Sequence, residues 1–133
     1  MNAPQMDDRL FDQAIEMVLD APKHDLAAKI GAFDVASGTE DILCSPVDST
    51  IIFGRLQDPE PKTTERAVAV AQEAFGPWSR TSPSDRAAIL SEAAREMEGR
   101  IYRIAAEIVL STGMTRKAAF YDAFAAVAAL KGA

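Results

Sequence analysis

Few residues of this 133-residue sequence are of a type that could do chemistry. Cys44 is the single thiol, and it sits in the apolar run Ile42-Leu43-Cys44 with no histidine close by. That setting predicts a small hydrophobe packed in a core rather than an activated thiolate. His24 is the single histidine; it stands between Lys23 and Asp25 in a short linker, without a second His or Cys to share a metal, and reads as a solvated side chain. Glu96 with Glu98, and Asp7 with Asp8, could form acid/base dyads, but nothing in the sequence points to burial of both members. Their positions on helix faces and at a helix start predict solvated charges. The glycines Gly31, Gly38, Gly54, Gly76, Gly99, Gly113 and Gly132 form neither G-x-G-x-x-G nor G-x-x-x-x-G-K, so no phosphate cradle is expected. Trp78 could stack on a ligand, but directly after Gly76-Pro77 it is expected to pin a loop between two helices. From the residues alone no catalytic, cofactor-binding or metal site is expected.

The elements around these residues follow from periodicity. Leu10, Phe11, Ala14, Ile15, Val18 and Leu19 recur at helical spacing between an acidic cap at Asp7 or Asp8 and Pro22, predicting an amphipathic helix to Asp20. Lys29 to Val35, Ile42 to Cys44 and Ile51 to Leu56 are short β-branched or aromatic runs separated by turn residues, predicting a three-strand meander. Beyond the proline-bearing segment from Asp58 to Lys62 the pattern is helical. One helix from Thr63 or Thr64 is expected to bury Ala67, Val68, Ala71 and Phe75 and to stop at Gly76-Pro77. A second, opened by Ser82-Pro83-Ser84-Asp85, carries the inward face Leu90, Ala94, Met97, Ile101, Ile104 and Ile108, with a break at Gly99. Gly113 ends it. A last helix from about Thr115, with Ala119, Phe120, Ala123, Phe124, Val127 and Leu130, is apolar on more than one face and is expected to leave apolar surface exposed for something further to cover. The fold class expected is α+β and predominantly helical: an N-terminal helix, a short β-meander, then three to four helices.

Composition narrows the function. A formal charge of -6, from 20 acidic and 14 basic residues, disfavours nucleic acid and anionic lipid. The apolar runs are too short to span a bilayer, the acidic start is unlike a signal peptide, and one cysteine suits a reducing compartment, so the expected location is the cytoplasm.

Five segments, agreeing in order and spacing, carry a resemblance. Gly31-Ala-Phe-Asp-Val-Ala-Ser-Gly38 is similar to the opening strand and turn of the aldehyde dehydrogenase superfamily, and Ser45-Pro-Val-Asp-Ser-Thr-Ile-Ile-Phe-Gly-Arg-Leu56 to its Asn-Pro-Ala-Thr-Gly-Glu-Val-Ile-Gly strand pair. Thr64 to Phe75 followed by Trp78 resembles the first family helix and its tryptophan; Pro83-x-x-Arg86-x-x-x-Leu90 resembles the start of the next. Ser45-Pro46-x-Asp48, Trp78-Ser-Arg-Thr81 and Gly113-Met-Thr-Arg-Lys-Ala118 lean toward the branch that oxidises 1-pyrroline-5-carboxylate, as open glutamate semialdehyde, to glutamate. The sequence departs from the family's Gly-Lys at Gly113-Met114.

The resemblance implies residues 1–24 as an added amphipathic helix and linker and 25–133 as the amino-terminal region of such an enzyme. In the family the nucleophilic cysteine, the general-base glutamate, the oxyanion-holding asparagine and the NAD or NADP contacts lie downstream of the matched region, so Cys44 inherits none of these roles. The chain is therefore expected to be a truncated or split dehydrogenase, inactive alone, that needs a cofactor only as part of a complete enzyme. The alternative is a non-catalytic helical subunit that binds a partner protein, or itself, through its C-terminal apolar helix.

Overall fold

The computed structural model describes residues 5–22, 24–35 and 38–132. In chain order the elements are α1 (Asp8–Asp20), β1 (His24–Leu26), β2 (Ala28–Ile30), β3 (Phe33–Val35), β4 (Thr39–Cys44), β5 (Ile52–Asp58), α2 (Lys62–Ser79), α3 (Pro83–Glu98), α4 (Ile101–Thr112) and α5 (Arg116–Gly132). The class is α+β with helix predominating. Two compact units divide these elements: α1, the segment Ser45–Ile51, α3, α4 and α5 form one, and β1 to β5 with α2 form the other.

The helical unit is built by local signals and closed by small residues. Asp7 caps α1, its Oδ1 accepting the amides of Arg9 at 2.9 Å and Leu10 at 3.1 Å. Phe11, Ala14 and Val18, spaced by three and four, are the buried stripe of α1, which packs on α4. The Asp7 amide also donates to the Tyr102 hydroxyl of α4 at 2.9 Å, and Arg116 of α5 ion-pairs with Asp12 at 2.6 Å while lying 5.4 Å over the Phe11 ring. Ala105, Ala106 and Leu110 are the buried residues of α4, which packs on α5, and α5 buries Ala119, Phe120, Ala123 and Val127 in packing with α3 and α4. Alanines at these crossings let the helix backbones approach closely, so Phe11 and Phe120 can fill the remaining space, each contributing about 1.5–3 kcal/mol of burial.

Helix ends at Gly99 and Gly113 fall where expected. Gly113 takes a left-handed φ of 75° and its amide donates to the Val109 carbonyl at 2.9 Å, so α4 ends on a glycine cap. The inward face expected from Leu90 to Ile108, with its break at Gly99, is found as two helices: Ala94 is buried and Leu90, Met97, Ile101, Ile104 and Ile108 are half-buried, while Ala105, Ala106 and Leu110 are the residues of α4 that are fully buried. The expected exposed apolar surface on the last helix is corrected. α5 lies between two neighbours, with Ala119, Phe120, Ala123 and Val127 buried.

In the other unit the strand runs are present but more divided than a plain meander. Gly31, at a φ of 62°, turns the first run back on itself as the antiparallel hairpin β2–β3. β4 and β5 pair antiparallel with a register shift at Leu43/Cys44, and β1, expected as linker, adds to the far edge of β5 in parallel, His24 opposite Gly54 and Leu26 opposite Leu56. α2 packs on β2, with Thr63 buried and Ala67 and Val70 half-buried. It does not stop at Gly76-Pro77. Proline this near a helix end forfeits a single amide bond, and the last turn continues to Ser79, whose hydroxyl donates to the Gly76 carbonyl at 3.0 Å. The expected burial of Val68 and Phe75 is also corrected: they are 53% and 69% exposed. Among the described residues no helix is long and apolar enough to cross a membrane.

Candidate functional site

The residues singled out for chemistry are dispersed by the fold. Cys44 is exposed at the end of β4, opposite Ile52, which corrects the expectation of a core cysteine. β4 is exposed at every residue but the half-buried Leu43, so its apolar strand pattern produces no buried position. The backbone of His24 lies in β1. Glu96 pairs with Arg100 at 2.9 Å and Glu98 with Lys131 at 2.7 Å, each carboxylate with a cation rather than with the other. Trp78 lies in the last turn of α2, 48% exposed, and is not the loop pin that was expected. Among the described residues no group of three or more His, Cys, Asp and Glu side chains could hold a metal ion.

The most constrained polar site is the segment Ser45–Ile51. Ser45 is buried; its hydroxyl donates to the Leu110 carbonyl in the last turns of α4 and accepts the Val47 amide at 3.1 Å, while its own amide donates to the Ile51 carbonyl at 2.9 Å. Asp48 then closes a turn by accepting the Thr50 amide at 2.9 Å and the Thr50 hydroxyl at 2.7 Å. Ser45-Pro46-x-Asp48, noted in the sequence for its resemblance, is thus a clamp that fixes this segment to the end of α4, and Leu110 is the residue sequence reasoning missed. Ser45→Ala removes both hydroxyl bonds from a buried position and is expected to cost about 1–3 kcal/mol, read by urea unfolding.

The Thr50 hydroxyl and amide together hold the Asp48 carboxyl below its ordinary value. A depressed folded pKa means the ionised form is favoured in the fold, so this contribution is complete above the unfolded aspartate value and is lost as pH falls through the lower folded one. Carboxyl carbon NMR should therefore place the Asp48 midpoint below that of a free aspartate, and Thr50→Ala should raise it; an unmoved midpoint would refute the assignment.

An anion cradle is not formed where a strand feeds a helix. The β5–α2 connection is Pro59-Glu60-Pro61; two prolines withdraw amide donors, Glu60 adds a negative charge, and Lys62 is engaged by Glu60 at 2.7 Å. A groove of about 470 Å³ between α1 and α4 is lined by Leu10, Met17, Ile101 and Tyr102 with Arg100 and Arg103 at its rim, and presents no nucleophile or acid/base pair.

The profile of the aldehyde dehydrogenase family matches residues 35–133, about three-quarters of the sequence. The chain belongs to this family. It is similar to the 1-pyrroline-5-carboxylate dehydrogenase of Geobacillus kaustophilus (strain HTA426), 32% identical over 117 residues that cover 88% of this chain and 23% of the relative. That of Geobacillus sp. (strain WCH70) is 30% identical over 119 residues, 90% of this chain and 23% of the relative. Among solved structures, the fold matches a Thermus thermophilus 1-pyrroline-5-carboxylate dehydrogenase with a TM-score of 0.89 at 23% identity, covering 98% of this chain and 27% of that one. A Thermus enzyme of the same name with bound NAD matches at a TM-score of 0.88 and 22% identity, covering 98% of this chain and 27% of that one. This aldehyde dehydrogenase family chain thus spans about a quarter of the length of the relatives it matches. The β5–α2 connection does not fit the pyrophosphate of a dinucleotide, for the reasons given by its prolines and Glu60.

Proposed function

We propose that this chain supplies a scaffold portion of an NAD(P)-dependent aldehyde dehydrogenase acting on glutamate semialdehyde or a related aldehyde, and that it does not turn over substrate alone. The observation that carries the reading is a family match over residues 35–133 together with alignments over 117–119 residues that cover only 23% of the Geobacillus relatives. It is supported by the dispersal of Cys44, Glu96, Glu98 and Trp78, which are not gathered into one site among the described residues, and by a strand-to-helix connection unsuited to a dinucleotide. The remaining parts of the enzyme would come from further polypeptide, covalently continuous or separate, and the assembly would work in the cytoplasm. Partner binding through α5 loses its support, because the apolar residues of that helix are covered by α3 and α4.

The test is complementation. Co-expression of this chain with the portion of the Geobacillus kaustophilus relative outside its 117 matched residues is expected to give NAD(P)H production from glutamate semialdehyde that either polypeptide alone lacks. Absence of any complex between the two would refute the proposal.

A further inference from the structure

α1 carries more than the face it buries. Phe11, Ala14 and Val18 point into the helical unit, while Leu10, Gln13 and Met17, spaced by three and four, form a second stripe on the outer flank of the helix. Leu10 is 42% and Met17 64% exposed, so among the described residues this stripe is left without cover. It forms one wall of the groove of about 470 Å³, and Ile101 and Tyr102 at the start of α4 form the other. A single exposed leucine is ordinary. A leucine and a methionine one heptad apart, lying beside a groove, make a seam of the kind into which another helix packs.

Charge narrows what that helix is. Arg100 and Arg103 stand at the rim of the groove, both exposed, Arg100 paired with Glu96 at 2.9 Å and Arg103 with Glu107 at 3.0 Å. Exposed pairs one helical turn apart contribute little, so either guanidinium is free to take a second carboxylate. Glu98, also on the groove, is held by Lys131 at 2.7 Å. The groove therefore suits a helix with apolar residues one heptad apart and acidic residues on the adjoining edge. α1 itself has this pattern: beside its Leu10 and Met17 stripe, on the side away from the core, stand the exposed Glu16 and Asp20 against the single cation Arg9. One copy thus presents ridge and groove side by side, the condition for an isologous two-fold contact.

We propose that the groove between α1 and α4 receives α1 of a second copy of this chain. The two α1 helices cross antiparallel, Leu10 of each copy lies opposite Met17 of the other, and Arg100 and Arg103 of each face Glu16 and Asp20 of the other. The chain as a whole carries a charge of -6, so two copies repel at a distance, and this local complement sets their orientation. With 13 residues, α1 is about 20 Å long, which makes the interface small and the association weak and concentration-dependent. The inference is independent of the scaffold reading, which assigns no role to these residues.

Sedimentation equilibrium of the full chain over a range of concentrations tests it. The mass is expected to rise from 14.3 kDa toward twice that value. Met17→Glu buries a carboxylate at the centre of the seam and should weaken the association by about tenfold or more, with the unfolding midpoint unchanged because the residue is exposed. Ile42→Glu, at an exposed position of β4, should leave the association intact. Two charge-reversed variants, Arg100→Glu with Arg103→Glu and Glu16→Arg with Asp20→Arg, should each remain monomeric alone and pair with one another when mixed, since every rim contact is then restored with its signs exchanged. A natural chain that stays monomeric at all concentrations, association that survives Met17→Glu, or charge-reversed variants that do not pair when mixed would overturn the proposal. Association lost with Ile42→Glu assigns the contact to the sheet and overturns it as well.

Discussion

Phe120→Ala is expected to destabilise the helical unit by about 3–5 kcal/mol, the range for emptying a phenylalanine site that cannot collapse. Phe120 is 2% exposed in the second turn of α5, 5.2 Å from the ring of Tyr102 and 6.0 Å from that of Tyr121. Its neighbours Ala119 and Ala123 are already minimal side chains on well-packed backbones and cannot swing in to fill the void. Tyr102 in turn accepts the Asp7 amide and packs edge-on against Phe11 at 6.4 Å, so the loss propagates to the seat of α1. Against a typical total of about 5–15 kcal/mol, this is enough to unfold a large fraction of molecules near physiological temperature. Both tyrosines of the chain lie in this unit, so near-ultraviolet circular dichroism of tyrosine during urea unfolding reads it directly. A midpoint unchanged from that of the natural sequence would show that α5 is not the centre of this core.

Gly38→Ala should have a comparable effect on the other unit through a different cause. The backbone at Gly38 has a φ of 109°, a conformation that L-residues adopt at a cost of about 1–3 kcal/mol. A methyl group there would also stand 1.7 Å from the Asp58 carbonyl oxygen, a backbone atom at the end of β5 that cannot move without disturbing the β4–β5 ladder, where Thr39 pairs with Asp58. The variant is expected to loosen the sheet while the helical unit keeps its stability. Trp78, alone of its kind and in the same unit as the sheet, reports this by fluorescence, and the tyrosine signal provides the contrast. Equal destabilisation in both signals would contradict the division of the chain into two units.

These two variants mark what was legible in the sequence. The helix limits at Asp7 and Gly113 could be read because their signals are local: Asp7 supplies two cap bonds to amides within three residues, and Gly113 supplies its own left-handed φ. The absence of G-x-G-x-x-G could be read for the same reason. Burial could not. The apolar periodicity of α2 and α5 announces that both helices need cover, but which one receives it is decided by elements distant in sequence, and α5 is sandwiched while Val68, Phe75 and Trp78 of α2 stay exposed. β1 escaped notice because three residues, His24, Asp25 and Leu26, carry no strand periodicity; a parallel partner thirty positions onward makes them a strand. Cys44 shows the limit most sharply, since an apolar run predicts a buried face only if something lies against that face.

The resemblance located the family from residues whose roles here are structural. Ser45 and Asp48 build a clamped turn, Pro83 opens α3, and Trp78 closes α2. All of them lie within the family match over 35–133, in a chain that spans about a quarter of the relatives' length.

The most direct measurement is NAD(P)H production by the purified chain alone, with glutamate semialdehyde and a panel of simple aldehydes, at enzyme concentrations high enough to detect a rate a thousandfold below that of the complementing pair. The account predicts no turnover above the rate without protein, and no change on Cys44→Ser. Turnover that depends on the chain and is abolished by Cys44→Ser would contradict it, and would make an exposed strand-end thiol the nucleophile of a dehydrogenase.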